Sequence, residues 1–267
     1  MRFTNPLTKK LSWQKTWFFI EDDVLHVMVS RISSASNAQV FSVLDQRRHT
    51  GKVILDNVEA QTLDNAEAKS SLWHGNIGYT FDQLGGDNKV VVRVENRFGN
   101  WSTIGTSKQP STSSVIFTAL IEHKNVSASA SYTVFPGTTL ETFEGKRSQL
   151  RLQTIENSEH VSAIFDGQHN VIYVTFWDLS GGSVTCNSST FAPITIKTSG
   201  NIALIYKLET GNVTVADPSQ SLDAVSVVVT LGTGEKPPKW GAEQTKALQF
   251  ALPSDGLAGS SVSQTIS

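Results

Sequence analysis

The sequence predicts an all-β chain, a large antiparallel β-sandwich followed by a smaller one, and three observations predict it. Apolar residues make up 39% of the 267 residues and charged residues only 17%. Ser, Thr, Val and Gly recur without long Ala/Leu/Glu/Lys runs, a composition that suits pleated, half-buried segments. Apolar and polar residues alternate with a period of two along many short runs, and clusters of turn formers separate those runs.

The first run, "KTWFFIEDDVLHVMVSRI", sends Leu25, Val27 and Val29 to one face and His26, Met28 and Ser30 to the other. Trp17 within it is expected in the core. "DNAEAKSSLW" from Asp64 has the composition of one short helix. "KVVVRVENRF", "SVIFTALIEH" and "SYTVF" restore the alternation, as do "NVIYVTFW", "NIALIYKL", "NVTVAD" and "DAVSVVVTLG" further on. Between them lie "DQLGGDN", "FGN", "FPGTT", "FDGQHN", "SGG" and "ETGN", rich in residues that accept left-handed or turn backbone. "EQTKALQFAL" from Glu243 fits a helix or a closing strand, and the strand is favoured. The best division falls near Gly145 to Gln149, which predicts two domains, 1–146 and 147–267.

A formal net charge of −2 offers no polycationic surface, so nucleic acid and membrane are not expected partners. The lone Cys186 excludes an internal disulfide, and no Cys/His cluster has zinc spacing. Glu21, Asp22 and Asp23 lack the spaced pattern of a calcium loop and read as a solvated turn, so neither metal nor cofactor is expected. Four sequons, at Asn100, Asn125, Asn187 and Asn212, would accept glycans in a secretory pathway, while "MRFTNPLTKKLSWQK" lacks the apolar run of a signal peptide.

Five blocks in register carry a more specific signal: "KTWFFIEDDVLHVMVSRIS", "FSVLDQRR", "LWHGNIGYTF", "NRFGNWSTI" and "FTALIEHKNVSASASYTVFPGTT". Together they resemble the central β-domain of family 8 polysaccharide lyases, the hyaluronate, chondroitin AC and xanthan lyases. "NVTVADPSQSLDAVSVVVTLG" and "LQFALPSDGLAGSSVSQTI" are similar to the carboxy-terminal β-sandwich of the same enzymes. The resemblance runs from about Lys15 to the end and implies a supersandwich of the galactose mutarotase-like kind, then a smaller sandwich. The sequence departs from the family at Arg31, at Gly105 after Ile104 and at Lys124 after His123.

The resemblance also implies a chemistry. Such lyases remove the C5 proton of a uronate and break the bond from C4 to the glycosidic oxygen, which needs a neutralised carboxylate and a positioned base. In the family those groups sit mainly on an amino-terminal helical toroid, and no long amphipathic helix is legible before Trp17. No family catalytic residue maps onto this sequence, so the chain alone is not expected to act as a carbon–oxygen lyase.

The candidate glycan contacts are Trp73, His74, Asn76, Tyr79, Trp101, Arg31, Arg47 and Arg48. Trp73 and Trp101 would stack on a sugar face or pack in the core. His74 and Tyr79 in "HGNIGY" form the best local proton-transfer pair, or serve a turn and a sheet interface. Arg47 and Arg48 would hold an anionic sugar, or pair with Asp45. The expected partner is a polysaccharide or other glycan, with a helical toroid on another chain as a second. Three readings follow: a lectin-like carbohydrate-binding module, which is preferred; a piece of a lyase; and a structural β-protein without ligand. The resemblance and the sequons point outside the cell, and the amino terminus leaves a cytoplasmic location open.

Overall fold

The computed structural model describes residues 1–266. The chain divides into two compact units, Met1–Arg147 and a second from Ser148 onward. The first contains β1 (Arg2–Thr4), β2 (Leu11–Ile20), β3 (Val24–Ser34), β4 (Val40–Arg48), β5 (Val53–Leu55), β6 (Val58–Glu59), β7 (Ala66–Ala68), β8 (Ser71–His74), β9 (Ile77–Leu84), β10 (Lys89–Gly99), β11 (Thr112–His123) and β12 (Ala130–Pro136). Helix α1 (Leu140–Gln149) follows. The second unit contains β13 (Leu152–Asn157), β14 (Val161–Asp166), β15 (Val171–Phe176), β16 (Gly182–Cys186), β17 (Ile194–Thr198), β18 (Ala203–Lys207), β19 (Asn212–Ala216), β20 (Ala224–Leu231), β21 (Thr245–Ala251) and β22 (Val262–Thr265). No described helix is long and apolar enough to cross a membrane.

In the first unit an eight-stranded sheet, ordered β1-β2-β3-β12-β9-β8-β5-β6, faces a four-stranded one, β4-β11-β10-β7. Their inner faces meet in a core that includes Val27, Val29, Leu72, Tyr79, Val90, Val92, Phe117, Ala119 and Ile121. Each is an alternate residue of its strand, as period-two side chains require. The wide sheet outnumbers the narrow one by four strands, so part of it overhangs, and β1 and β2 lie at its margin.

The overhang corrects the expectation for Trp17. In β2 the buried residues are Gln14, Thr16, Phe18 and Ile20, whereas Trp17 is 38% and Phe19 78% exposed. The alternation is as read from the sequence; the face turned toward the narrow sheet is simply not covered at this edge. In β3 both faces are buried, since His26, Met28 and Ser30 are as inaccessible as Val27 and Val29.

Two further elements differ from expectation. "DNAEAKSSLW" is not a helix: Ala66 and Ala68 pair with β10, and Ser71–His74 forms β8 between β5 and β9. Tertiary pairing overrides the helical composition of a short segment. The helix α1 stands where only a turn and a boundary were legible. Thr139 caps it, its Oγ1 accepting from the Thr142 backbone N–H at 3.1 Å. Glu141 in the first turn and Lys146 and Arg147 in the last complement the helix dipole. Its one buried residue, Phe143, packs edge-on against Phe135 with centroids 5.2 Å apart.

The second unit sets a six-stranded sheet, β13-β14-β15-β18-β19-β22, against a four-stranded one, β16-β17-β20-β21. Strand β20 shows the logic, with Val225, Val227, Val229 and Leu231 buried and the intervening residues turned outward. "EQTKALQFAL" supplies the closing strand β21, paired to β20 from Thr245 to Ala251. Cys186 sits in this core, where burial pushes its thiol up to about 11 and keeps it protonated.

Candidate functional site

The "HGNIGY" segment is the β8–β9 hairpin. Gly75 and Asn76 both adopt positive φ, +55° and +65°, the backbone a two-residue type I′ turn demands. His74 therefore points inward. It is 1% exposed, stacks at 5.1 Å on His49, leans at 4.0 Å on Phe117, and its Nδ1 lies 3.1 Å from the Lys52 carbonyl. Burial lowers its pKa. Tyr79 is also in the core, donating its hydroxyl to the Leu44 carbonyl at 3.3 Å, and burial raises its pKa. A base is useful only within reach of a substrate proton, and neither ring has that access.

Trp73 lies on the opposite face of β8, beside Gly78, and donates its indole N–H to the Thr138 carbonyl at 3.0 Å. It pins the "FPGTT" turn to the sheet. Asn76 is exposed, and its carbonyl accepts from the Thr138 backbone N–H at 2.9 Å. Arg31 occupies an outward bulge of β3 at φ +51°, where the ladder shifts between Ser12 and Gln14 of β2. Arg47 makes the local ion pair: its Nε meets Asp45 Oδ2 at 2.7 Å while Nη1 donates to the Gly75 carbonyl at 3.2 Å.

The remaining candidates, Arg48 and Trp101, lie toward one end of the narrow sheet in two separate hollows. On its outer face Arg48 stands opposite Ile116, and Ile116 opposite Glu95; in adjacent rows Thr118 stands between Gln46 and Arg93, and Ser114 beside Arg97. Gln46, Arg47, Arg48, Arg97 and Ile116 line an open hollow of about 450 Å³. Arg97 is paired with Glu95. Arg48 has no ion-pair partner among the described residues, and the buried Arg93 Nε has no hydrogen-bond acceptor. Phe98, near the end of β10, is 82% exposed, and in the loop beyond that strand Trp101 is 52% and Ile104 79% exposed. Asn100 fixes that loop, its Oδ1 accepting from the Ser102 backbone N–H at 3.0 Å and hydroxyl at 2.8 Å.

The structure thus brings Arg48 together with Arg97 in one hollow and sets Arg93 on the same outer face, two arginines that sequence reasoning missed, while Trp101 borders a separate hollow with Gly99, Asn100, Ile104 and Thr112. The signal was present: in "KVVVRVENRF" residues 93, 95 and 97 alternate with the inward valines, so they share the outer face. Guanidinium forks can hold a carboxylate or sulfate, and an exposed indole can cover the apolar side of a ring.

The super-sandwich domain model of polysaccharide lyase family 8 matches residues 1–147, and the family's C-terminal beta-sandwich domain model matches residues 153–226. A hyaluronate lyase of Staphylococcus aureus is 24% identical over 168 residues, covering 60% of this chain and 20% of that protein. A hyaluronate lyase of Enterococcus faecalis is 22% identical over 248 residues, covering 84% and 22%. Among solved structures, a chondroitinase AC lyase superposes with a TM-score of 0.80 at 21% identity, over 98% of this chain and 37% of that one. A Paenibacillus xanthan lyase gives 0.76 at 19% identity, over 100% and 27%. The chain spans about a fifth of the length of the curated relatives it matches. With both domain models aligned in order over most of its length, and with the fold they describe, the chain belongs to polysaccharide lyase family 8.

Proposed function

We propose that this chain is the β portion of a polysaccharide lyase acting on uronate-containing polysaccharide, and that it contributes scaffold and anion-holding contacts rather than proton transfer. One observation carries the reading. The best proton-transfer pair in the sequence, His74 and Tyr79, is buried and committed to backbone and ring contacts.

In the elimination, a base takes the C5 proton, its electron pair forms the C4–C5 double bond, and the C4–oxygen bond breaks with the leaving oxygen taking a proton. A carboxylate neutralised by hydrogen-bond donors makes that proton removable. These groups belong, on this reading, to a helical part of the enzyme, while Arg48, Arg93 and Arg97 hold an anionic stretch of the chain beside Trp101. An extracellular location accompanies that substrate.

The purified chain, incubated with hyaluronan, chondroitin and xanthan, is expected to release no ultraviolet-absorbing unsaturated uronide, and product is expected when a relative's helical domain is added. Product from the chain alone, in preparations free of contaminating enzyme, would sink the proposal.

A second, lectin-like reading draws on the arginine hollow alone and makes a separate prediction. The Arg48→Gln, Arg97→Gln double variant is expected to bind chondroitin roughly 3- to 30-fold more weakly, at up to about 1 kcal/mol per exposed charge pair. Its affinity should also vary less steeply with salt. Calorimetric titration at two salt concentrations checks it, and equal affinity and salt slope in parent and variant would exclude the hollow.

A further inference from the structure

Where the wide sheet of the first unit overhangs the narrow one, β2 and β3 face the margin of β4 across a cleft of about 220 Å³. Its floor is aromatic. Trp13 is stacked on Phe3 at 5.2 Å, and Trp17 lies beside it on the same face of β2. Between them stands Lys15, its Nζ 5.3 Å from the Trp17 ring centre and 5.6 Å from that of Tyr132. The opposite wall is Phe41, Val43 and His123.

Lys15 is the feature without an account. Among the described residues no carboxylate pairs with it and no acceptor takes its ammonium hydrogens. Burial lowers its pKa, and no acidic group offsets that effect. A desolvated charge is costly unless paired, and two rings supply only part of the compensation. His123 repeats the pattern: it is 4% exposed, its Nε2 lies 2.8 Å from Ser42 Oγ, and its Nδ1 has no partner. An unpaired cation, an orphaned ring nitrogen and flat apolar walls complement one kind of ligand, a carboxylate carried on a ring with an apolar face.

We propose that the Lys15 cleft is a second glycan subsite, separate from the arginine hollow, that seats a single uronate ring with its carboxylate on Lys15 and its apolar face on Trp17. The inference rests on the uronate reading above for its ligand class, and on the cleft's own geometry for its place. The occupied cleft returns a partner to Lys15 and excludes water from the Trp17 ring.

The test uses intrinsic tryptophan fluorescence of the whole chain with a hyaluronan hexasaccharide and its carboxyl-reduced counterpart. The hexasaccharide is expected to perturb the emission saturably. Lys15→Met and carboxyl reduction should each weaken binding roughly 10- to 100-fold, the range for a charged hydrogen bond, and Trp17→Ala should abolish the fluorescence change. Lys197→Gln, a charge change at an exposed position of the second unit, should leave that change intact. Lys15→Met is also expected to keep or raise the melting temperature, because it removes an unpaired, half-buried charge.

Undiminished binding by Lys15→Met, or equal binding of the carboxyl-reduced oligosaccharide, overturns the proposal. So does a fall in melting temperature with unchanged binding, which would make Lys15 a structural cation. Absence of any binding by the parent chain overturns it too, in favour of a protein segment as the occupant. Unsaturated product in the complemented lyase assay would then show that only the cleft assignment has failed.

Discussion

Acidification from pH 7 to pH 4 is expected to remove about 6 kcal/mol of stability from the first unit, roughly 3 kcal/mol through each of two buried histidines. His26 is 1% exposed, with Nδ1 held 2.9 Å from Thr133 Oγ1, and burial pulls its pKa down to about 4. His123 is pulled down to about 4 by burial, with repulsion from Lys15 adding to it. The sign follows from where protons bind. The unfolded chain takes them up near pH 6.5, whereas the folded chain resists until about pH 4. Stability is therefore complete above pH 6.5 and falls as the pH drops through the window between those values. Denaturant midpoints of the first unit at pH 7.5, 6.5, 5.5 and 4.5 check this, and His26→Gln should flatten the slope by about half. A level profile across that range would refute the assignment of both groups.

The second large effect concerns α1. Phe143→Ala is expected to cost about 3–5 kcal/mol, the usual range for emptying a buried aromatic site. Gly78→Ala is expected to cost about 1–3 kcal/mol through overpacking. A Cβ at position 78 would lie 2.1 Å from Phe143 Cδ2 and 2.5 Å from its Cε2. The ring cannot swing aside, being 1% exposed, set edge-on against Phe135 and covered by Arg147 at 5.3 Å. In the Phe143→Ala background, Gly78→Ala should be nearly free, because the new methyl enters the space the ring has left. Melting temperatures of the two single variants and the double close the cycle, and additive losses would show that the two positions do not touch.

These effects mark what the sequence could and could not say. Strand alternation grouped Val27 with Val29, Val90 with Val92 and Ala119 with Ile121, and each of these faces inward, because period-two chemistry is local. Whether a face is then covered is not local: Trp17 follows its predicted alternation yet stays exposed, since coverage depends on how many strands lie opposite. The helix α1 escaped notice because it buries only Phe143 and so carries no apolar stripe, leaving Thr139 and the terminal charges as its sole signature. At the candidate site, Arg48 and Trp101 were legible as exposed chemistry. For His74 and Tyr79 the sequence left a reactive pair and a structural one both open, and the hairpin turns both toward the core.

Strand β4 has one further consequence. It is a nine-residue margin of the narrow sheet, with Phe41 and Val43 exposed and, at its far end, Arg47 and Arg48. A long open margin is where a second backbone would dock and start fibrillar self-association, and consecutive positive charges oppose that approach. Arg48, which would grip a polyanion, thus also guards solubility with its neighbour Arg47, so neutralising both should leave the chain clumping at concentrations the parent tolerates.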